Sequence, residues 1–199
     1  LLPFSIDELK PTKYFIKDIN KIMFYGMYPP VYDRKLDSLD WYLDYIQTYL
    51  ERDVRLIENV HDINVFRKFI KLCAGRVGQL INFSNLGNDC GVTYNTIQQW
   101  LSILEASYLI FQLNPYYKNF NKRITKQTKL YFYDTGLLCS LLGIKDYNQL
   151  ETHYLRGSIY ESFIISELKK SFMNKTRRFD GYFWRDRYGH EVDFLFEKA

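Results

Sequence analysis

Residues 81–113, INFSNLGNDCGVTYNTIQQWLSILEASYLIFQL, constrain this chain more than any other stretch. Ile97, Leu101, Leu104 and Tyr108 fall at i, i+4, i+7 and i+11, and Trp100 widens the stripe, so one helical face must be buried. Ser84 is placed to cap a short helix, Gly91 to make the turn and Thr93 to cap the longer helix, with a strand from about Tyr108. That order is a helix–turn–helix followed by the first strand of a wing. Asn95, Thr96, Gln98, Gln99 and Ser102 are left on the outer face beyond Thr93. Short amide and hydroxyl side chains at the start of a second helix suit base edges and phosphates in a major groove.

The next stretch carries the charge that such a surface needs. Between Asn114 and Lys129 stand Lys118, Lys122, Arg123, Lys126 and Lys129 with no acid, interleaved with Tyr116, Tyr117 and Phe120. The run LYFYD then reads as the returning strand, so the basic segment is a loop between two strands, as expected of a wing lying along a phosphate backbone. Of the net charge of +4, the excess sits in residues 61–150, with ten Lys and Arg against five Asp and Glu. DNA is the expected partner, and an acidic protein surface would meet the same charge.

Composition excludes several classes. At 47% hydrophobic and 18% aromatic, 199 residues can bury one or two cores. No apolar run approaches the ~18 residues of a membrane span and no signal segment is evident, so the expectation is a cytoplasmic protein without a membrane partner. Cys73, Cys90 and Cys139 are odd in number and scattered, which predicts reduced core thiols. His61, His153 and His190 are isolated, so any metal would rest on carboxylates.

Ahead of the helix–turn–helix, LLPFSIDEL reads as a strand entering a helix capped by Ser5, and KIMFYGMYPPV (21–31) as a Gly/Pro-punctuated connector. Trp41, Tyr45, Tyr49 and Arg52 keep helical spacing to about Glu58, with Glu51 and Arg55 an i,i+4 pair, and a second helix is expected over Asn64 to Gly75. Beyond the returning strand, Asp134, Thr135 and Gly136 end it, LLCSLLGI is a short core helix, and Lys145 to Arg156 is a polar connector.

The C-terminal stretch introduces different chemistry. A helix from Gly157 carries Ile159, Phe163, Ile164 and Leu168 as its apolar stripe, with Glu167 and two lysines facing solvent and Glu161 off the stripe. FDGYFWRD and GHEVDFLF follow as two strands around a Tyr–Gly turn. A glutamate on a helix, a hairpin, then Glu–Val–Asp on its second strand is the order in which restriction-endonuclease-like nucleases build a Mg²⁺ site. Glu161 and Asp193 are the candidate catalytic and metal-ligating residues, and Glu191 a further ligand. The acid and lysine spaced by one residue that complete such sites are not found within these residues, since Glu197 and Lys198 are adjacent; the expectation is that they lie downstream, with metal-dependent nuclease activity only in the full-length protein. Alternatively the carboxylates are structural, hydrogen-bonded to Arg156, Arg185 or backbone.

In combination LLPFS, GMYPP, YLERDVR, GRVGQLINFSNLGNDCGV, WLSILEASYLIFQLNPYYKN, KLYFYDTGL, YES, YFWRD and GHEVDFL resemble the C-terminal domain of unknown function of a family of bacterial and archaeal AAA-type (P-loop) ATPases. The resemblance implies an α+β fold: a mostly helical N-terminal part with a winged helix–turn–helix, followed by a small, incomplete restriction-endonuclease-like α/β domain. It divides the chain into residues 1–30, the tail of an ATPase module and a connector; 31–145, a helical region with the winged helix at about 62–135; and 146–199, the nuclease-like end. ATP would bind in a preceding domain, because no Gly-rich phosphate loop occurs here. The implied function is to engage duplex DNA for an ATP-driven machine, with the nuclease-like end cutting or clamping. The alternative is a module through which the ATPase recognises a protein partner. Oligomerisation follows only by analogy with AAA-type rings.

Overall fold

The computed structural model describes residues 2–34, 36–49, 62–116, 127–175, 179–186 and 188–196. Among these the chain is a mixed α+β protein of ten helices and one small four-stranded mixed sheet. Arg52, the Glu51–Arg55 pair, and Lys118, Lys122, Arg123 and Lys126 lie outside the described residues.

The N-terminal stretch is more helical than its glycine and prolines suggest. Ser5 and Glu8 form a capping box that opens α1 (Ile6–Leu9). Asp18 caps α2 (Ile19–Tyr25), and α3 (Pro29–Asp33) starts on a proline, whose fixed φ suits the first helical turn. The expected connector over 21–31 is therefore the end of one helix and the start of another. Gly26 joins them at φ +68, where an added Cβ would lie 2.0 Å from the Tyr42 hydroxyl, so only glycine fits. In α4 (Ser38–Tyr49) the anticipated spacing stacks Trp41 on Tyr45 at 5.1 Å and Tyr45 on Tyr49 at 6.5 Å.

Three helices and a hairpin form the middle. Asp62 caps α5 (Ile63–Ala74), and its buried Phe66 and Phe69 pack on Trp100 at 5.1 and 5.2 Å. The next helix, α6 (Phe83–Cys90), is capped by Asn82, two residues before the expected Ser84. It ends at Gly91 in the left-handed region. Thr93 caps α7 (Tyr94–Ala106), which buries Ile97, Trp100, Leu101 and Leu104. The two helices touch at Gly87, where a Cβ would meet the Val92 carbonyl at 2.7 Å.

β1 (Ile110–Pro115) and β2 (Lys129–Phe132) pair antiparallel, and Leu80 bridges to Lys129 on the outer side of β2. Past β2, Asp134 begins a helix in place of ending a strand. Its buried carboxylate accepts from the Leu137 N–H at 2.8 Å and the Met27 N–H at 2.6 Å, capping α8 (Thr135–Leu141) and tying it to the N-terminal helices. Residues 145–156, expected as a connector, contain α9 (Tyr147–Thr152), capped by Asp146.

α10 (Arg156–Asn174) crosses the sheet. Ser162 donates to the Phe132 carbonyl at 3.2 Å and accepts from the Phe132 N–H at 3.1 Å. Small buried hydroxyls at Ser162 and Ser166 shift the inward face, so Ile165 is buried and Ile164, expected inside, is exposed. Glu167 accepts from the Ile6 N–H at 2.6 Å, and Lys170 is buried, donating to the Phe4 carbonyl at 2.7 Å. These two residues hold the N-terminus and do not face solvent as expected.

β3 (Gly181–Arg185) runs parallel to β1, and β4 (Glu191–Phe196) closes the order β2-β1-β3-β4. The sheet separates two apolar layers. Ile110, Leu130 and Phe132 face the large helical core, while Phe111, Leu113, Tyr131, Tyr133 and Phe183 form a second cluster with Ile165. All three cysteines are buried and unpaired, as the sequence predicts. Among the described residues no helix is long and apolar enough to cross a membrane.

Candidate functional site

Two places in this framework gather chemistry. The first is built on period-two geometry. Lys129 and Tyr131 alternate along β2, so both point to the smaller core, where Lys129 lies 5.7 Å from the Phe183 ring centroid. Across the sheet, Tyr182 pairs with Leu195 and Trp184 with Val192, which leaves both Asp193 and Phe194 opposite Phe183. That bulge lets Phe194 join the smaller core while Glu191 and Asp193 turn to the same side. Glu161 arrives from α10.

All three carboxylates converge on one ammonium. Lys129 Nζ donates to Asp193 Oδ1 at 2.9 Å and Glu161 Oε1 at 3.2 Å, and forms an ion pair with Glu191. Its side chain is 3% exposed, against 24% for Glu161, 23% for Glu191 and 61% for Asp193, so a buried cation lies beneath acids that reach water. Tyr131 donates to Glu161 Oε1 at 2.5 Å, and Arg185 pairs with Glu191 at 3.3 Å.

Burial opposes the charge on Lys129, but the surrounding carboxylates outweigh it and raise its pKa above the ordinary lysine value. The Lys129 hydrogen bond holds Asp193 below the ordinary aspartate value. Burial, then the bond to Glu161, pushes the Tyr131 hydroxyl up.

Glu161, Asp193 and Glu191 do come together, but around Lys129. Among the described residues no group of three or more acidic, histidine or cysteine side chains is arranged to hold a metal ion. The donor set, as placed, does not fit Mg²⁺, because an ammonium fills the centre that a divalent ion would need. Lys129 is expected from the sequence at the end of a phosphate-facing loop, and its burial removes it from that surface. Tyr131 escapes the sequence reading, although the alternation Lys129, Tyr131 on one strand face is the signal that finds it.

The second place is the outer face of α7. Thr93, Asn95, Gln98, Gln99 and Ser102 are exposed and Thr96 is half-buried. The Thr93 and Thr96 hydroxyls share a hydrogen bond of 2.9 Å, and Ser102 donates to the Gln98 carbonyl at 3.0 Å.

Helices over a small mixed sheet, with an ionic cluster between β2, α10 and β4, define the class of chain. It belongs to the family described as domain of unknown function DUF8612, whose family model matches residues 16–148. Residues 156–199 match a second family model, domain of unknown function DUF4143. Two curated relatives, uncharacterized protein Mb2031c of Mycobacterium bovis and uncharacterized protein Rv2008c of Mycobacterium tuberculosis, are each 29% identical over 180 residues. The alignments cover 89% of this chain and 40% of each relative, so the chain spans well under half the length of those proteins. No solved structure matches it.

Proposed function

We propose that this chain is the duplex-DNA-engaging region of an AAA-type ATPase, with α5, α6, α7, β1 and β2 acting as a winged helix. The observation that carries the reading is the two-sidedness of α7. Its apolar stripe is buried while Asn95, Gln98 and Gln99 stand exposed along the outer side. Asn and Gln side chains there can pair bidentately with adenine. Support also comes from the antiparallel hairpin that follows α7 directly, from the basic composition of residues 118–126, and from the DUF4143 match, a domain often found in AAA-ATPase-associated proteins.

For the C-terminal part the geometry favours clamping over cutting. Glu161, Glu191 and Asp193 hold Lys129 at the loop end of the hairpin, so α10 and β4 would fix the strand from which the wing loop springs.

Fluorescence anisotropy of a labelled duplex titrated at several salt concentrations tests the reading. Affinity should fall steeply with salt. Replacing Arg123 and Lys126 by alanine should lower affinity evenly across sequences and flatten the salt slope by about one unit for each phosphate no longer neutralised. Gln98→Ala should cost about 1–3 kcal/mol on a preferred sequence and relax the preference. Absence of binding at low salt would overturn the assignment. It would favour the second reading, a protein-contact module, for which the half-exposed pair Trp184 (37%) and Val192 (46%) on the outer face of β3 and β4 offers an apolar surface.

A further inference from the structure

A cleft of about 240 Å³ opens where α6 and α7 begin, against the hairpin. One wall is aromatic: Tyr94, 49% exposed, meets Phe83 with ring centroids 5.3 Å apart at 47°. A second part of the lining is polar, formed by Gln112 of β1 and by Gln127 and Thr128 leading into β2. Thr128 donates to Gln112 Oε1 at 2.5 Å, and Gln112 donates from Nε2 to Glu105 at 3.0 Å, so this wall is held in place by its own hydrogen bonds. Tyr94 is the residue before Asn95, which places the cleft beside the exposed row of α7.

An exposed ring in the same cleft as a row of amide and hydroxyl groups is the chemistry that recognises a flat, apolar-faced ligand with a polar edge. The volume is below the about 300–1,000 Å³ of sites that take drug-sized molecules, which suits one ring system better than a base pair. The neighbouring α7 surface is the proposed contact with duplex DNA. We infer that the cleft receives a single unpaired nucleobase of the DNA, stacked on Tyr94 with its edge toward Gln112, Gln127 and Thr128. This rests on the DNA reading above. The preferred substrate is then a duplex carrying an unpaired or extruded base, since taking a base from an intact stack costs unpairing energy.

The test compares two labelled duplexes of the same sequence, one fully paired and one with a single bulged 2-aminopurine, titrated by anisotropy at one salt concentration. The bulged duplex should bind about tenfold tighter, with its 2-aminopurine emission quenched on binding. Tyr94→Ala should bring the ratio of the two affinities close to one and abolish quenching, while Tyr94→Phe should keep both. Equal affinity for the two duplexes in the unaltered chain, or a ratio unmoved by Tyr94→Ala, overturns the cleft and leaves the DNA reading standing. If neither duplex binds, the DNA reading fails and the cleft assignment fails with it.

Discussion

Lys129 decides more than any other single residue. A lysine this buried is rare unless paired, and here it meets acids from a helix and from a strand 64 residues further on. Replacing it by methionine keeps the stem against Phe183 and removes the charge. A fully buried pair loses roughly 3–5 kcal/mol when one partner goes, but these carboxylates reach water, so about 2 kcal/mol is expected, read as a lower urea midpoint. The pH dependence has two shoulders of opposite origin. The Lys129 pKa is raised, so its contribution is present below the ordinary lysine range and is lost as pH climbs through the raised value. The Asp193 pKa is lowered, so its contribution is present above the ordinary aspartate range and is lost as pH falls through the lowered value. The cluster's contribution should be flat between about pH 5 and 9, and Lys129→Met should erase both shoulders in a series of urea melts. None of this pairing could be read from composition, because a lysine in a basic run looks the same whether it faces water or three acids. Thr93 was legible, by contrast, because an N-cap is satisfied within its own next turn, by the Thr96 N–H at 3.2 Å.

Among the elements, the junction of α6 and α7 is the place where a small change should have a large effect. Gly87 allows the Val92 carbonyl to approach, and an alanine there would bring a methyl to 2.7 Å of that oxygen, inside any normal contact. Because the obstruction is backbone, it cannot rotate away. Gly87→Ala should cost about 1–3 kcal/mol and, on the DNA reading proposed above, weaken duplex binding by re-aiming α7, whereas Gly91→Ala, with open space around its Cβ, should act only through its φ of +77. Thermal melts alongside anisotropy separate the two effects.

The same junction shows where sequence periodicity runs out. Asn82 and Ser84 are both good caps, and which one opens α6 depends on Phe83 packing against Tyr94, a contact across eleven residues. In α10 the apolar period is interrupted by Ser162 and Ser166, whose inward turn follows from the hydrogen bonds of Ser162 to β2 and not from hydrophobicity. Patterning located β1 to β4, but the strand it also expected ahead of Ser5 is not formed by residues 2–5, and α2, α3 and α9 hid behind proline, glycine and polar residues that serve there as caps and first turns.

Taken as a whole, the chain places its sheet across the boundary that the sequence suggests at residues 145–146. β1 pairs with both β2 and β3, so the hairpin after α7 and the hairpin at the C-terminal end share one hydrogen-bonded layer. Unfolding should therefore be a single event. Trp100 reports on the helical core and Trp184 on the far hairpin, and variants retaining one or the other should melt at the same urea concentration as the far-UV signal. Separate midpoints would show that the sheet does not couple the two halves.

The parallel pairing also has a consequence in time. Asn114 finds Tyr182 across 68 residues, whereas β1 and β2 meet within one hairpin, so the local pair can form long before the distant one. During synthesis the β1–β2 hairpin would stand with Phe111 and Tyr131 uncovered and Lys129 in water until β3 and β4 arrive. On this account the charge on Lys129 keeps the uncovered face of the hairpin hydrated, and the same charge becomes the anchor once Glu191 and Asp193 reach it.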